Sequence, residues 1–535
     1  MKKLLLLIIS LFLTAQTIKA QTVVLDTNGV TIKYTGTTRP TPYFIQASPR
    51  GTLEWFAIVD NSTKNNITNY ANNNQSGITY FTPPGSSTRV PYNNIVTTLV
   101  TNMADLFNNS ATFNQPIGSW DVSNVTTMAN MFNYAYAFNQ PIGSWDVSNV
   151  TNMSEMFLYA KNFNQPIGSW NVSNVTTMAS MFFLADVFNQ PIGSWDVSNV
   201  TIMDSMFELA IAFNQPIGSW NVSNVTNMAY MLDSAKVFNQ PIGSWNVSNV
   251  TNMQGMFYGA IAFNQNIGSW NVSNVTNMRY MFRNTDTFNQ NISSWNVINV
   301  TDIYGMNGMF SNAKSFNQNI GSWNVSNVTN MQSMFLGAIV FNQNIGSWNV
   351  SNVTNMFNMF SGAIAFNQNI GSWNVSNVTT MATMFVGVQL STANYDDLLI
   401  GWSTISPNET PLQPNVPFFG GNSFYCNGET ARSSIISTYG WTITDAGRDS
   451  NCVLETETFD KSNLKLYPNP VSRVINVTVD SNLINQTYSV VDGLGRVVLK
   501  GKLNEVETAI NVEQIVKGIY YLKLSDNNAS KFIKE

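Results

Sequence analysis

The chain has no histidine among its 535 residues, and only 10% of them are charged, against about 25% in ordinary globular proteins. Histidine is the commonest general base and the commonest metal ligand, so its absence argues against both kinds of site. The net charge is −5 and no basic run occurs, which argues against nucleic acid and anionic membranes as partners. We therefore predict a protein that is not an enzyme and that has no catalytic residue, no metal site and no cofactor.

Long apolar runs are scarce as well. The run at residues 4–13 follows Lys2 and Lys3, and a small residue, Ala20, ends the segment. A basic start, a short apolar run and a small residue at the cleavage point are typical of a secretory signal peptide. The run is too short to span a bilayer. We predict that residues 1–20 are removed and that the mature protein is exported without a membrane span.

The middle of the chain consists of one 25-residue repeat in eleven copies. Nine of the ten steps between copies are 25 residues long, and the step from Phe288 to Phe316 is 28, with three extra residues near Tyr304. A fixed period of this size is typical of a solenoid. The copies begin at Phe113, Phe138, Phe163, Phe188, Phe213, Phe238, Phe263, Phe288, Phe316, Phe341 and Phe366.

The apolar residues of one repeat predict its secondary structure. In the copy that begins at Phe138, Ile142, Trp145 and Val147 have the spacing of a leucine-rich-repeat strand. A second set has the i, i+3, i+4, i+7 spacing of a short helix: Met153, Met156, Phe157 and Ala160. We predict an α/β repeat solenoid with one short strand and one short helix per repeat. The repeats must stack, because one repeat buries too little surface to offset its backbone entropy.

The alternation of side chains along the predicted strand divides the core from a candidate binding face. Because Trp145 and Val147 share one side, we predict a core ladder rather than a sugar-binding aromatic strip: Trp120, Trp145, Trp170, Trp195, Trp220 and Trp245. The residue after each tryptophan lies on the other side, and these residues form the candidate binding face: Asp121, Asp146, Asn171, Asp196, Asn221 and Asn246. A purely solvated face is the alternative. Asp121 and Asp146, on adjacent repeats, also fit a glycosidase pair or half a calcium site.

The flanking regions differ from the repeats in composition. We predict an N-terminal cap at 21–92, the solenoid at 93–387, a C-terminal cap at 388–458 and a separate domain at 459–535. In the C-terminal cap we predict helices at Ser391–Trp402 and Glu429–Tyr439 and a strand at 441–444. Cys426 and Cys452 are the only cysteines; in an exported protein we predict that they form a disulfide, with two free buried thiols as the alternative.

The last domain has the pattern of a small β-sandwich. Strands are predicted at 474–479, 487–491, 497–503 and 519–524, and the Asp492-Gly-Leu-Gly495 segment has turn chemistry. Short strands at close spacing, without a helical stretch between them, favour this class of fold.

Two stretches resemble known families. The repeat Phe-Asn-Gln-Pro-Ile-Gly-Ser-Trp-Asp/Asn-Val-Ser-Asn-Val-Thr-Asn-Met, from about Val100 to Gly387, resembles the repeat of BspA-like leucine-rich-repeat surface proteins of bacteria. The segment from Leu390 to Trp402, together with Tyr425 to Gly428, resembles the C-terminal flank of that family. The resemblance implies a surface-exposed or secreted role in adhesion or binding, without a defined ligand.

The stretch from Leu464 to Glu535 resembles the C-terminal sorting domain of the type IX (Por) secretion system. Three segments carry the resemblance: Leu464-Lys-Leu-Tyr-Pro-Asn-Pro470, Gly518-Ile-Tyr-Tyr-Leu-Lys-Leu524 and Lys531-Phe-Ile-Lys-Glu535. Within them the matching residues are Tyr467, Pro468, Asn469, Pro470, Gly518, Tyr520 and Lys531. The resemblance implies the type IX machinery as a partner, export across the outer membrane and attachment to the outer cell surface or release.

Taken together, these patterns predict a secreted, surface-displayed repeat protein that binds an unknown protein or glycan ligand through its solenoid. A passive structural coat without a specific ligand is the alternative. A polysaccharide hydrolase, and a protein that binds a crystalline surface such as ice, are further alternatives.

Overall fold

The computed structural model describes residues 22–72, 80–405, 409–452, 464–493, 495–524 and 529–535. The chain forms two compact units, residues 1–450 and 451–535. Regular structure in the described ranges is mostly strand, with three α-helices. The predicted signal peptide at 1–20 and the predicted boundary after residue 458 lie outside the described residues.

The N-terminal region is built from short strands and one helix. These are β1 (Val23–Leu25), β2 (Ile32–Tyr34), β3 (Phe44–Ala47), β4 (Glu54–Asp60), α1 (Asn65–Asn72) and β5 (Ile95–Leu99). The β1 and β2 strands pair antiparallel; β4 pairs antiparallel with β3 and parallel with β5. The Ile32 amide donates to the Ser119 carbonyl at 2.8 Å, so this region lies against the first full repeat.

The repeats stack on one another through their main chains. A row of parallel bridges joins the same position in successive repeats, for example Thr127 to Asn152 and Asn152 to Thr177. The row runs from Asn102 to Asn277 and again from Asn330 to Thr380. It is interrupted at the long repeat, where the Met278 amide donates instead to Gly305 at 2.9 Å. The stacking therefore continues past the three extra residues with a changed partner.

The predicted helix and strand of each repeat are wrong. The range 100–391 is fully described and contains neither an α-helix nor a β-strand. Alternate amides donate to the next repeat: Glu155 to Ala179 at 2.8 Å, Phe157 to Met181 at 2.9 Å and Tyr159 to Phe183 at 2.7 Å. The amides between them close four-residue turns, as in Ala160 to Phe157 at 2.9 Å. An α-helix would instead send each amide to the fourth residue before it.

Positive φ angles make this chain of turns possible. Glu155 has φ 57° and Tyr159 has φ 58°, and the equivalent residues of most other repeats share this left-handed conformation. Such a conformation is unfavourable for a residue with a side chain, and the hydrogen bonds to the neighbouring repeat offset it. The turns still place Met153, Met156 and Phe157 inside. The helix-like apolar spacing was thus correct about which residues face the core and wrong about the backbone.

The core of the stack consists of aromatic rings and methionines in register. Phe132, Phe157 and Phe182 stack with ring centroids 5.5 and 5.6 Å apart. Trp145 and Trp170 lie parallel at 6.5 Å. Each of these rings is at most 3% exposed. Burial of rings of this size is the main apolar contribution to the stability of the stack.

The C-terminal cap contains α2 (Thr392–Ser403), β6 (Pro417–Phe419), α3 (Glu429–Tyr439) and β7 (Thr442–Thr444). Both predicted helices are present. The Ser391 hydroxyl caps α2 by accepting from the Asn394 amide at 3.3 Å, and Gly440, at φ 68°, ends α3. The Trp402 indole donates to the Ile370 carbonyl at 3.2 Å, in the manner of the repeat tryptophans. Neither cysteine is free: Cys426 and Cys452 are disulfide-bonded.

The second compact unit contains two antiparallel sheets. Its strands are β8 (Leu464–Tyr467), β9 (Val474–Val479), β10 (Thr487–Asp492), β11 (Val497–Lys502), β12 (Glu507–Asn511), β13 (Gly518–Leu524) and β14 (Ala529–Lys534). The sheet orders are β11-β10-β13-β14 and β12-β9-β8. Val477 from one sheet and Leu522 from the other belong to one buried cluster. The four predicted strands are β9, β10, β11 and β13, and the sequence patterns missed β8, β12 and β14.

Candidate binding face

The predicted tryptophan ladder lies inside the stack. Its six members are 1–3% exposed. Five of the indoles also donate a hydrogen bond to the preceding repeat, as Trp145 does to the Ile117 carbonyl at 3.2 Å. The sixth, Trp120, donates to the Tyr92 carbonyl of the N-terminal region at 2.8 Å. A buried indole has no ring face available to a sugar, so the alternative of an aromatic strip does not apply to these residues.

The residues after the tryptophans divide into one buried and five exposed side chains. The expectation that Asp121 is exposed is wrong: it is 2% exposed, because the N-terminal region covers the first repeat and Thr97 donates to the Asp121 carbonyl at 2.9 Å. The exposed members are Asp146, Asn171, Asp196, Asn221 and Asn246.

The exposed members are engaged in local turns. The Asp196 carboxylate accepts from the Ser198 amide at 3.0 Å, and hydrogen bonds from Ser198 lower the pKa of Asp196. Asn221 accepts from the Ser223 amide at 3.2 Å in the same way. These side chains stabilise the turn after each tryptophan. Because they are aspartate or asparagine in every repeat, they give a ligand little chemical difference to recognise.

A different face carries the variation between copies. We define the variable face as the positions of Ser154, Glu155, Leu158 and Tyr159 in the repeat that begins at Phe138, with the equivalent positions in every other repeat. Their side chains project from the chain of turns opposite the buried Met153, Met156, Phe157 and Ala160. The residues at these four positions change from repeat to repeat, and they include acids, tyrosines, arginines, glycines and apolar residues.

Acidic side chains gather on two adjacent repeats of the variable face. Asp204 and Glu208 belong to one repeat and Asp233 to the next. Burial raises the pKa of Asp204 and that of Glu208 above their ordinary values. Burial also raises the pKa of Asp233 to about 7, with a smaller contribution from the Glu208 charge. The Ser234 hydroxyl donates to Asp233 at 2.7 Å, which partly opposes the effect of burial.

Tyrosines and arginines occupy the same face further along the stack. Arg279 lies 4.5 Å from the ring centroids of both Tyr280 and Tyr304. Arg283 lies 4.9 Å from the Tyr280 ring and 5.7 Å from the Tyr258 ring. These separations are within the range of cation–π attraction. We did not select these residues from the sequence. The signal available there is that Arg279 and Arg283 lie in the repeat just before the one with three extra residues.

The predicted sorting-signal residues lie in the second compact unit. Tyr467 ends β8, and Pro468, Asn469 and Pro470 follow it. Asn469 contacts β14 twice: its side chain donates to the Lys531 carbonyl at 3.1 Å and accepts from the Ile533 amide at 2.8 Å. Gly518 begins β13 opposite Lys534. Tyr520 is 3% exposed and stacks on Phe532 at 5.8 Å. Residues 467–470 therefore hold the end of β8 against β14 through the Asn469 side chain.

Both the repeat region and the C-terminal domain match known protein families. Four overlapping stretches of the repeat region match one family, described as "Mycoplasma protein of unknown function, DUF285": residues 85–185, 167–260, 240–307 and 299–398. These matches together cover residues 85–398, more than half of the chain. The protein therefore belongs to the DUF285 family. A search of curated proteins found no match.

Residues 465–535 match the secretion system C-terminal sorting domain. This domain is the signal for type IX export, so the protein is a repeat protein that is secreted or attached to the outer cell surface, with the type IX machinery as a partner. Among the described residues, no helix combines the length and the apolar character needed to cross a bilayer.

Proposed function

We propose that the protein is a cell-surface adhesion or binding protein that recognises a ligand through the variable face. The repeats act in this proposal as a rod-like solenoid, and the two sheets of the second compact unit act as the small sandwich expected of a sorting domain. The resemblance of the repeat to that of BspA-like surface proteins and the export signal support a role outside the cell.

The observation that carries the proposal is the separation of constant and variable positions. The constant positions hold the stack together: the Asn139 side chain accepts from the Asn164 amide at 3.0 Å and from Gln165 at 2.9 Å, and Asn149 donates to the Ser123 carbonyl at 2.7 Å. The variable positions have no such shared role. A passive coat needs only the constant positions, so a single face on which side-chain chemistry changes supports binding.

We also propose that the protein is not an enzyme. The hydrolase alternative relied on Asp121 and Asp146, and Asp121 is 2% exposed. A glycosidic bond needs both carboxyl groups beside it, and a buried carboxyl group beneath the N-terminal region is out of reach of a polysaccharide. Asp146→Asn should therefore leave any hydrolysis in a purified sample unchanged.

The experiment compares the intact protein with two variants on glycan and protein arrays. One variant replaces three residues of the variable face by residues that other repeats carry at the same positions: Glu208→Ser, Tyr230→Ser and Tyr258→Leu. The matched control changes the face of the residues after the tryptophans: Asp146→Asn and Asp196→Asn. We expect binding by the intact protein and by the control, and loss of binding by the first variant. No binding by the intact protein, or loss only in the control, would overturn the proposal.

A further inference from the structure

Two irregular features of the repeat array coincide in space. From Phe113 to Gly387 the chain has only two arginines, Arg279 and Arg283. The next repeat is the one that carries the three extra residues. Those residues bring Tyr304, which is 44% exposed, to the guanidinium group of Arg279. The one insertion in the array therefore supplies a tyrosine ring that contacts one of the two arginines of the array.

Tyrosines and glycines alternate beside the arginines. At the position of Glu155, four successive repeats carry Tyr230, Gly255, Tyr280 and Gly308. Each tyrosine ring lies over the glycine of the next repeat, and no Cβ fits at either glycine without moving the ring. The rings consequently lie along the stack rather than away from it. We name Arg279, Arg283, Tyr230, Tyr258, Tyr280 and Tyr304 the Tyr–Arg patch.

The positive charge of the patch is not neutralised by the protein. The ion pairs within the repeats join lysines to aspartates, Lys161 to Asp186 and Lys314 to Asp286. Neither Arg279 nor Arg283 forms an ion pair with a carboxylate among the described residues, and the Nε atom of each is buried without a hydrogen-bond partner. Arg279 donates through Nη2 to the Tyr280 hydroxyl at 3.0 Å. Tyrosine rings hold the two guanidinium groups in place and leave their charge for a ligand.

The main chain of the patch disfavours an extended peptide as the ligand. The amides of Gly255, Tyr280 and Asn284 donate to the neighbouring repeat at 2.8–2.9 Å, and the amide of Arg283 closes a turn onto Tyr280 at 3.0 Å. An added β-strand requires free main-chain donors and acceptors at an edge. Recognition here must use side chains: tyrosine faces, which attract polarised C–H groups, and arginines, which form paired hydrogen bonds with carboxylate or sulfate.

We propose that the Tyr–Arg patch binds an anionic polysaccharide, carboxylated or sulfated, that lies along the stack of repeats. The anionic groups pair with Arg279 and Arg283, and sugar rings pack on the tyrosines. This inference rests on the proposed binding function and names the class of ligand for one part of the variable face.

The test measures binding of the purified full-length protein to immobilised polygalacturonate, heparin, dextran and polyglutamate. The key variant is Arg279→Gln with Arg283→Ser, since Gln254 and Ser361 occupy the same two positions in other repeats. The matched control is Lys161→Gln with Lys314→Gln, which removes the same formal charge from two ion-paired lysines. Circular dichroism and the melting temperature verify that both variants fold.

We expect the intact protein and the lysine control to bind polygalacturonate or heparin, more weakly as salt is added. We expect neither of them to bind dextran, which carries no charge. The arginine variant should bind at least tenfold more weakly. Preference between polygalacturonate and heparin distinguishes carboxylate from sulfate as the anionic group. Equal binding to polyglutamate would show that the ligand class is wrong. Binding of a neutral glycan or a protein on the arrays, unchanged in the arginine variant, would overturn this inference while the proposed function stands.

Discussion

The ring of Tyr280 covers Gly308 of the following repeat, where an added Cβ would lie 2.6 Å from the Tyr280 Cδ1 atom. Gly308 also has φ 58°. The absence of a side chain at one position therefore determines the direction of a ring in the repeat before it. This relationship links the core-forming backbone to the surface that we propose to bind a ligand.

We expect Gly308→Ala to destabilise the protein and to displace the Tyr280 ring. The left-handed conformation alone costs about 1–2 kcal/mol for alanine, and the contact with the ring adds to it. The free energy of unfolding in urea measures the sum. Gly362→Ala is the matched control, because Gly362 has φ 72° and its nearest neighbour would be 3.5 Å away. An equal loss of unfolding free energy in the two variants would contradict this prediction, because it would mean that the Tyr280 ring moves aside at no cost.

The stability of the stack should depend on the protonation of Asp233. Its pKa is about 7 in the folded protein and near the ordinary value of 3.8 in the unfolded chain. The folded state therefore binds more protons between these two values, and stability falls as the pH rises from about 4 to about 7. Asp233→Asn should raise the melting temperature at pH 8 and change it little at pH 4.

The control for this measurement is Asp146→Asn. Asp146 is exposed, and its equivalent in the next repeat is Asn171. We expect similar melting temperatures for this variant and the original protein at both pH values. A melting temperature of Asp233→Asn that does not rise relative to the original protein at pH 8 would contradict the burial of a charged carboxylate at this position.

The tryptophan ladder should be the most sensitive part of the stack. Trp195 is 3% exposed, its indole donates to the Ile167 carbonyl at 3.1 Å, and its ring lies between those of Trp170 and Trp220. We expect Trp195→Ala to reduce the free energy of unfolding by about 3–5 kcal/mol. Trp195→Phe should cost less, because it keeps a ring and loses the hydrogen bond. Loss of less than about 1 kcal/mol in the alanine variant would show that the ladder is not a packed core.

Export should depend on the side chain of Asn469. It makes two hydrogen bonds to β14, and their loss leaves the Ile533 amide without that acceptor. The loss of two such bonds is of the order of 1–3 kcal/mol. We expect Asn469→Ala to lower the amount of protein at the cell surface or in the medium, measured by immunoblotting of cell fractions. Ser472→Ala, at a neighbouring exposed position, is the control, and equal surface amounts for both would contradict the prediction.

The predicted elements outside the repeats agreed closely with the structure where local signals were strong. Ser391 is a helix N-cap and Gly440 is a helix C-cap, and both are visible in the sequence because they satisfy the amides and carbonyls at helix ends. The strands β8, β12 and β14 were missed. The strands β8 and β14 pair with their neighbours in the chain, β9 and β13, whereas β12 pairs with the distant β9, a partner that no local pattern reveals.

The candidate site was only partly predictable. The sequence shows different residues from copy to copy at the positions of Ser154 and Tyr159, yet we selected the positions after the tryptophans as the binding face. Asp121 was misplaced because nothing local reveals that the N-terminal region covers it. The contacts of Arg279 with Tyr280 and Tyr304 depend on the alignment of two repeats, one of which is longer than the other.

The sequence by itself determined that the repeats stack and which side chains are buried, since a 25-residue period and regularly spaced tryptophans, phenylalanines and methionines leave no other way to remove so much apolar surface from water. Only the tertiary structure decided the backbone of each repeat. A spacing of three and four residues suits a helix and a chain of turns equally well. The chain of turns is favoured because the amides of Glu155 and Tyr159, which a helix would bond within the repeat, donate instead to carbonyl groups of the next repeat.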